Sequence, residues 1–133
     1  MILIIGALLG FISIAFGAFA EHGLRENITD ENFRFLMTAV RYNQVNAVII
    51  VSIGLTVLTD SKPGNIAVLR WSGVLFIIGT ILFSFSIYFS VSFQIPSLTN
   101  LTPVGGTTMM AAWLLLLASG LVAKNTLRCK NNQ

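Results

Sequence analysis

The sequence predicts an all-α integral membrane protein, a four-helix bundle with an amphipathic segment between its first and second spans. Of its 133 residues, 55% are hydrophobic and only 10% are charged. A soluble domain carries about 25% charged residues, and disordered chains combine low hydrophobicity with high charge. Both classes are therefore excluded, and the length allows one membrane domain over residues 1–133.

The charged residues lie in three segments, which are Glu21–Arg41, Asp60–Arg70 and Lys124–Lys130. The remaining stretches contain no Asp, Glu, Lys or Arg, and the one after Arg70 is long enough for two helices, divided at the polar segment Gln94–Asn100. A membrane-spanning helix needs about 20 mostly apolar residues. These lengths predict four spans, over residues 2–20, 42–59, 71–93 and 104–123.

The first apolar stretch has two interpretations. Ala18-Phe19-Ala20 has the small-x-small form of a signal-peptidase site. Against a signal peptide, no Lys or Arg precedes the stretch, and its small residues fall on one helical face, as in helices that pack closely in lipid. These residues are Gly6, Gly10, Ser13 and Gly17. We therefore predict a retained helix that ends near Gly23, a residue suited to a left-handed C-cap.

Between the first two spans, Thr29 or Asp30 is expected to cap a helix. Apolar residues then recur at helical spacing from Phe33, with Arg34 elsewhere on the surface, which indicates an amphipathic helix. This segment either lies in the membrane interface and bends into the second span, or one long helix runs from Glu31 to Leu58.

The third and fourth spans are separated by clear boundaries. Thr59–Gly64 is a turn by composition, and the third helix is expected from about Ile66 to Phe93. Thr102 is a good N-cap and Pro103 fits the first turn of the fourth helix, which runs to about Ala123. Small residues of the third helix repeat every seven positions, as a second packing face: Ser72, Gly79 and Ser86.

The distribution of basic residues predicts the orientation. With four spans, both termini and the 60–70 turn share one side, which carries five Lys and Arg against three on the other. Both termini are therefore predicted to be cytoplasmic in a multi-pass protein of the inner or plasma membrane. The net charge of +3 forms no basic stripe, so we expect no nucleic-acid partner. Membrane lipids are the expected partners, and a homo-oligomer is left open.

Four motifs occur in a fixed order along the chain: Gly17–Leu24, Thr38–Tyr42, Phe83–Tyr88 and Thr102–Trp113. In this order the chain resembles the domain of unknown function 423 family, small four-span membrane proteins that include the transmembrane protein 256-like proteins. The resemblance implies a four-helix membrane protein without an established activity. The chain departs from the family pattern at three positions, since Glu21 is an added acid, Asn46 replaces a common His, and Phe85 fills a glycine position.

The predicted topology gathers several polar and small residues near one end of the bundle: Glu21, His22, Arg41, Tyr42, Asn46, Thr102, Gly105 and Gly106. An Arg within a span needs a partner or a water-filled pocket, and a helix N-terminus suits anions. One hypothesis is that Arg41 and the amides of the fourth helix bind a small anionic group such as a lipid phosphate. The other is that Arg41 pairs with Glu21 and the glycines serve only packing.

No motif indicates catalysis or a cofactor. The sequence has one His and one Cys, Cys129, which excludes an internal disulfide and a cysteine-based metal cage. It has no Ser-His-Asp arrangement. We therefore predict a structural or interaction protein, not an enzyme, with an anion or lipid-headgroup site at the outer end. The alternative is a small-solute or ion transporter, which would need a homo-oligomer because four short helices leave little room for a pore.

Overall fold

The computed structural model describes residues 1–59 and 63–131, and the side chains of all of these except 63–65 and 124–131. The α-helices in these ranges are α1 (Ile2–Phe19), α2 (Asp30–Thr59), α3 (Pro63–Thr80), α4 (Ser86–Ser92) and α5 (Thr102–Asn131). A π-helical turn, Ile81–Phe85, joins α3 and α4 into one rod. Each of the resulting four rods has the length and hydropathy to cross a membrane, which confirms the all-α class. Part of the predicted turn Thr59–Gly64, and the side chain of Cys129, lie outside what is described.

The first helix continues beyond its predicted end. After α1 the backbone forms a π-helical turn, Ala20–Leu24, and a 3-10 turn, Arg25–Asn27. Gly23 lies inside the π-helical turn and has no positive φ, so the predicted left-handed cap is wrong. A physical reason is the ion pair between Arg25 Nη1 and Glu21 Oε1, 2.7 Å apart, which links positions i and i+4 and favours helical backbone.

The second helix is unbroken from Asp30 to Thr59. Of the two alternatives for this part of the chain, the structure therefore has the single long helix. Thr29 is its cap, since Thr29 Oγ1 accepts a hydrogen bond of 3.2 Å from the Asn32 N–H. Asp30 and Glu31 in the first turn complement the helix dipole.

The small-residue face of α1 packs against α2. A Cβ atom added to Gly6 would stand 2.9 Å from Ile50 Cγ2, and one added to Gly17 would stand 3.3 Å from Val40 Cγ1. The contacts run in opposite directions along the two helices, so the pair is antiparallel. In lipid such close approach supplies much of the attraction between helices, because apolar side chains are equally well solvated by acyl chains.

The seven-residue repeat of the third rod faces α5. The Ser72 hydroxyl donates to the Ala112 carbonyl at 2.9 Å, and the backbones of Gly79 and Gly105 meet directly. Ser86 Oγ lies 2.9 Å from Thr102 Oγ1. The third rod and α5 therefore form a second antiparallel pair, and we call the contact surface of each pair its seam. This seam brings the end of the third rod beside the start of α5.

Thr102 does not act as the predicted N-cap. Its backbone is already helical, with φ −57° and ψ −45°, because a 3-10 turn, Pro96–Leu101, leads directly into α5. The Thr102 N–H donates to the Thr99 carbonyl, and the Thr102 hydroxyl pairs with Ser86. The start of α5 therefore has fewer free amides than a capped helix would offer.

Candidate functional site

A cleft of about 760 Å³ opens at the end of the bundle where α2 and α5 begin. We call this end of the bundle the cleft end. The turn before α2 and the first turns of α2 form one wall. The last turns of the third rod, the Pro96–Leu101 turn and the start of α5 form the other. Pockets that bind small molecules usually enclose about 300–1,000 Å³, so the cleft is large enough for a ligand.

The lining combines uncharged polar groups with apolar ones. Amides and hydroxyls come mostly from the turns: Asn27, Thr29, Asn32, Ser90, Gln94, Thr99 and Thr102. The apolar surface comes mainly from the helices and includes Phe35, Phe83, Ile87 and Val91. None of the residues that line the cleft is Asp, Glu, Lys, Arg or His. The cleft therefore offers hydrogen bonds beside an apolar wall, without a formal charge.

Gln94 occupies a strained backbone position in this lining. Its φ of 54° lies in the left-handed region, which costs a non-glycine residue about 1–2 kcal/mol. The conformation closes the third rod, because it lets the Ile95 N–H donate to the Ser90 carbonyl at 2.9 Å. Glycine is the usual residue at such a position, and residues held in strained conformations cluster at functional sites.

A buried polar layer lies deeper in the bundle than the cleft. Asn46 Nδ2 donates to Thr80 Oγ1 at 2.9 Å and contacts Met109 Sδ at 2.8 Å. Asn43 Nδ2 donates to the Tyr88 hydroxyl at 3.3 Å, and Asn43 Oδ1 has no hydrogen-bond partner among the described residues. Asn43 and Asn46, at the start of the second span, thus face protein, whereas Gln44 between them is exposed.

The predicted site residues at the end of α1 lie on the surface, away from the cleft lining. Glu21 pairs with Arg25, as described above, and both side chains are about half exposed. His22 is exposed in the π-helical turn. The Arg25 guanidinium also lies 4.7 Å from the centre of the Phe33 ring, which holds it against α2.

Arg41 and Tyr42 lie on neighbouring parts of α2 but have different surroundings. Arg41 is exposed and makes no ion pair or side-chain hydrogen bond within the described ranges. The predicted intramolecular pair with Glu21 is therefore not formed in the structure. Tyr42 packs edge-on against Phe83, with ring centres 5.0 Å apart, and so reaches the wall of the cleft indirectly.

The predicted residues of α5 fall closest to the cleft. Thr102 and Gly106 line it. Gly105 is buried against the backbone of Phe83, where it serves packing. Asn46 belongs to the deeper polar layer. The structure thus brings together two of the eight predicted residues in the cleft, with Tyr42 one side chain away.

Most of the lining was missed by the sequence analysis. The missed polar residues are Asn27, Thr29, Asn32, Ser90, Gln94 and Thr99, none of which carries a charge. Charge within a span is the signal that sequence reasoning follows, and it leads away from a neutral site. A usable signal was the presence of uncharged polar residues in the turns before the second and fourth spans, on the same predicted side of the membrane.

Metal ligation finds no support in the part of the chain that the structure describes. It contains no group of three His, Cys, Asp or Glu side chains that could hold an ion.

Comparison with known proteins identifies relatives over most of the chain. A sequence profile described as "Protein of unknown function (DUF423)" matches residues 16–106. A UPF0382 membrane protein of Staphylococcus haemolyticus is 34% identical over 119 residues, which cover 90% of this chain and 93% of that protein. The UPF0382 inner membrane protein YgdD of Escherichia coli K12 is 32% identical over 123 residues, covering 92% and 90%. YwdK of Bacillus subtilis is 30% identical over 121 residues, covering 90% and 94%. No solved structure matches significantly.

Proposed function

Because the chain belongs to the DUF423 family, multi-pass proteins of the inner or cell membrane, we propose that it binds a membrane lipid in the cleft. The uncharged, hydrogen-bonding part of the lipid headgroup lies among the amides and hydroxyls of the turns. The upper part of an acyl chain lies against Phe35 and Phe83. This is an interaction role without catalysis, at the end of the bundle where the sequence analysis expected a ligand.

The mixed lining of the cleft is the observation that carries this proposal. A lipid presents polar atoms next to hydrocarbon, and the cleft offers the same sequence of surfaces, from Thr29 and Thr99 in the turns to Phe83 and Ile87 on the helices. Specific sites are mostly apolar with a few placed polar groups. The strained Gln94 at the same site further supports a role in binding.

The neutral lining favours a lipid headgroup over a small free anion. A free phosphate would have to lose hydration of a full charge, which is costly unless a cation or several donors replace the water. Arg41, the cation that the sequence analysis placed in the site, does not line the cleft. A lipid gains affinity from its chains and can leave its phosphate in the headgroup region.

The length of α2 supports a location of the cleft at headgroup depth. Thirty helical residues extend about 45 Å at 1.5 Å per residue, whereas the hydrocarbon core is about 30 Å thick. The surplus lies at the charged start, where Asp30, Glu31 and Arg34 are exposed while Leu36 is buried. We propose that these first turns are the amphipathic segment at the membrane interface, and that the cleft opens beside them.

We further propose that the cleft end is extracytoplasmic and that both termini are cytoplasmic, as the excess of basic residues on the terminal side favours. Fusions to the C-terminus test this orientation after expression in Escherichia coli. Green fluorescent protein should fluoresce and alkaline phosphatase should be inactive. The reverse result would overturn the orientation.

Lipid retention measured by native mass spectrometry tests the binding proposal. The protein is incubated in detergent with dioctanoyl phosphatidylglycerol, with glycerol 1-phosphate or with inorganic phosphate. We expect the phosphatidylglycerol adduct alone, because only that probe combines the uncharged glycerol hydroxyls of its headgroup with acyl chains. A phosphate adduct of equal yield would favour the free-anion hypothesis instead.

A matched pair of glycine variants locates the site. A Cβ atom on Gly106 would have only Phe83 Cδ2 within 4 Å, at 4.0 Å, so Gly106→Leu fills the cleft without displacing a helix. Gly120, on the same helix, has nothing within 4 Å, and Gly120→Leu is the control. We expect at least a tenfold loss of the lipid adduct for Gly106→Leu and none for Gly120→Leu. Equal retention by both variants would contradict a lipid in the cleft.

A further inference from the structure

One face of α2 is exposed along its whole length. Its residues follow each other at alternating spacings of four and three, which places them on one side of a helix. They are Arg34, Thr38, Arg41, Val45, Val48, Ser52, Leu55 and Thr59, and all are exposed. We call this surface the α2 face; no other helix in the described part of the chain covers it.

Two polar side chains on or beside the α2 face are unsuited to lipid. Thr38, Ser52 and Thr59 satisfy their hydroxyls on carbonyls of their own helix. Arg41 and Gln44 make no such side-chain bond within the described part of the chain, and both are exposed. By the length of α2, Arg41 lies at the edge of the hydrocarbon core and Gln44 lies about one turn inside it.

The exposed face of α5 shows what a lipid-facing surface of this protein looks like. Met110, Leu114, Leu117 and Leu121 are all exposed and apolar. Polar and charged side chains within a span almost always face protein or water. The contrast between α5 and α2 indicates that protein covers the α2 face.

A groove beside the α2 face has the shape to receive another helix. It holds about 380 Å³ between α1 and α2. Gly10 and Ser13 line it from α1, and Gln44 and Val48 line it from α2. Small residues on one wall allow the close backbone approach on which helix association in lipid depends.

The two walls of the groove carry opposite charges toward the cleft end. Glu21 follows Ile14 of the α1 wall by seven residues, and Arg41 precedes Val48 of the α2 wall by seven, so each lies on the groove side of its helix. Two copies with the same membrane topology are related by an axis along the membrane normal. Such an axis places α1 of one copy against α2 of the other, and hence a carboxylate near a guanidinium.

We propose that the α2 face and the adjoining groove bind a second copy of this chain in a two-fold dimer, in which the partner's Arg41 joins the Glu21–Arg25 pair of each copy. From the contact between Gly17 and Val40, Glu21 lies five residues, or about 7.5 Å, nearer to the cleft end than Arg41. The long arginine side chain bridges that offset by extending toward the interface. Glu21 is thus shared between Arg25 of its own chain and the partner's Arg41, and Gln44 lies inside the interface.

Cysteine cross-linking in native membranes tests the interface without altering a charge. In a Cys129→Ser background, Val48→Cys places a thiol on the α2 face and Met110→Cys places one on α5. Their parent side chains are 68% and 67% exposed, and the Asn46–Met109 contact puts them at similar depth. With a short bis-methanethiosulfonate reagent, we expect Val48→Cys to give at least fivefold more dimer than Met110→Cys. Equal yields, or adducts of Val48→Cys only with other proteins, would overturn the proposal.

A charge exchange tests the ion pair itself. In a Val48→Cys background that also carries Arg25→Gln, so that Glu21 keeps no partner in its own chain, Glu21→Arg and Arg41→Glu should each lower the dimer yield at least fivefold, because each brings like charges together across the interface. The double exchange should restore the yield to within twofold of the starting protein. If the double variant stays as low as the singles while its folded monomer persists in mild detergent, the pairing of Glu21 with the partner's Arg41 is wrong.

Discussion

The two antiparallel helix pairs of this bundle are closed by different contacts. Between the third rod and α5, backbone meets backbone at Gly79 and Gly105, and hydroxyls bond across the seam at Ser72 and Ser86. Between α1 and α2, no side-chain hydrogen bond joins the helices within the described residues. Their backbones approach closely at Gly6 and Gly54, but a Cβ on Gly10 would have only ordinary contact at 3.6 Å. The third rod and α5 are therefore held together by both kinds of contact, whereas α1 and α2 leave a groove between them.

This difference shows how a small membrane protein can divide its roles. The seam with hydrogen bonds and backbone contact fixes the geometry of α5, and so supports the wall of the cleft near Gly106. The looser seam has room on its outer side for a partner. The following substitutions test whether the seams differ in the way the contacts indicate, and they are ordered from the largest expected effect.

Gly105→Ala should have the largest effect on stability. The added methyl group would overlap the backbone of Phe83, which can yield only if the helix moves. Overpacking of this kind costs about 1–3 kcal/mol. We expect a loss of that size in the free energy of unfolding, measured by titration with SDS in dodecyl maltoside micelles. The control is Gly120→Ala, which has free space around it. Equal stability of the two variants would show that the seam is not closed.

Gly54→Ala makes the corresponding change in the other pair and should cost less. Its methyl group would stand 2.6 Å from the Leu3 backbone N. Because Leu3 is the second residue of α1, the end of that helix can shift, and we expect about 1 kcal/mol, the low end for overpacking. The same SDS titration measures it. A loss as large as that of Gly105→Ala would mean that both seams are equally rigid.

Asn46→Leu removes one of the polar links between the two pairs. Asn46 on α2 donates to Thr80 and contacts Met109 of α5. Hydrogen bonds between membrane helices contribute about 0.6 kcal/mol on average and up to about 1.7. We expect a loss of about 1 kcal/mol, which Asn46→Gln should partly restore in the same titration. An increase in stability would show that the amide serves something other than packing.

The smallest expected change in the free energy of unfolding is that of Ser72→Ala, for which Ser52→Ala is the control. Ser72 bonds across the seam to Ala112 of α5, while Ser52 bonds to Val48 of its own helix. We expect Ser72→Ala to lose about 0.6 kcal/mol and Ser52→Ala to change little in the monomer. If both variants unfold alike, the hydroxyl across the seam adds nothing to its closure.

Several features could be predicted because they depend on local pattern. The four helices follow from uncharged runs long enough to cross a bilayer. Both packing faces follow from small residues at helical spacing, and the structure confirms that Gly17 faces α2 and that Ser72 faces α5. Thr29 as a cap also depends only on its immediate neighbours. The predicted ends at Gly23 and Thr102 were wrong, because adjacent turns extend the helical backbone past them.

The sequence by itself determined that this protein lies in a membrane and how many spans it has. Each span must match the thickness of the bilayer and exclude charge, and both conditions apply to every segment independently of the others. Only the tertiary structure decided which polar groups meet. Asn43 reaches Tyr88, Glu21 finds Arg25, and neutral residues from distant turns enclose the cleft. These partners are set by the depth and rotation of each helix against its neighbours, which depend on all the seams at once.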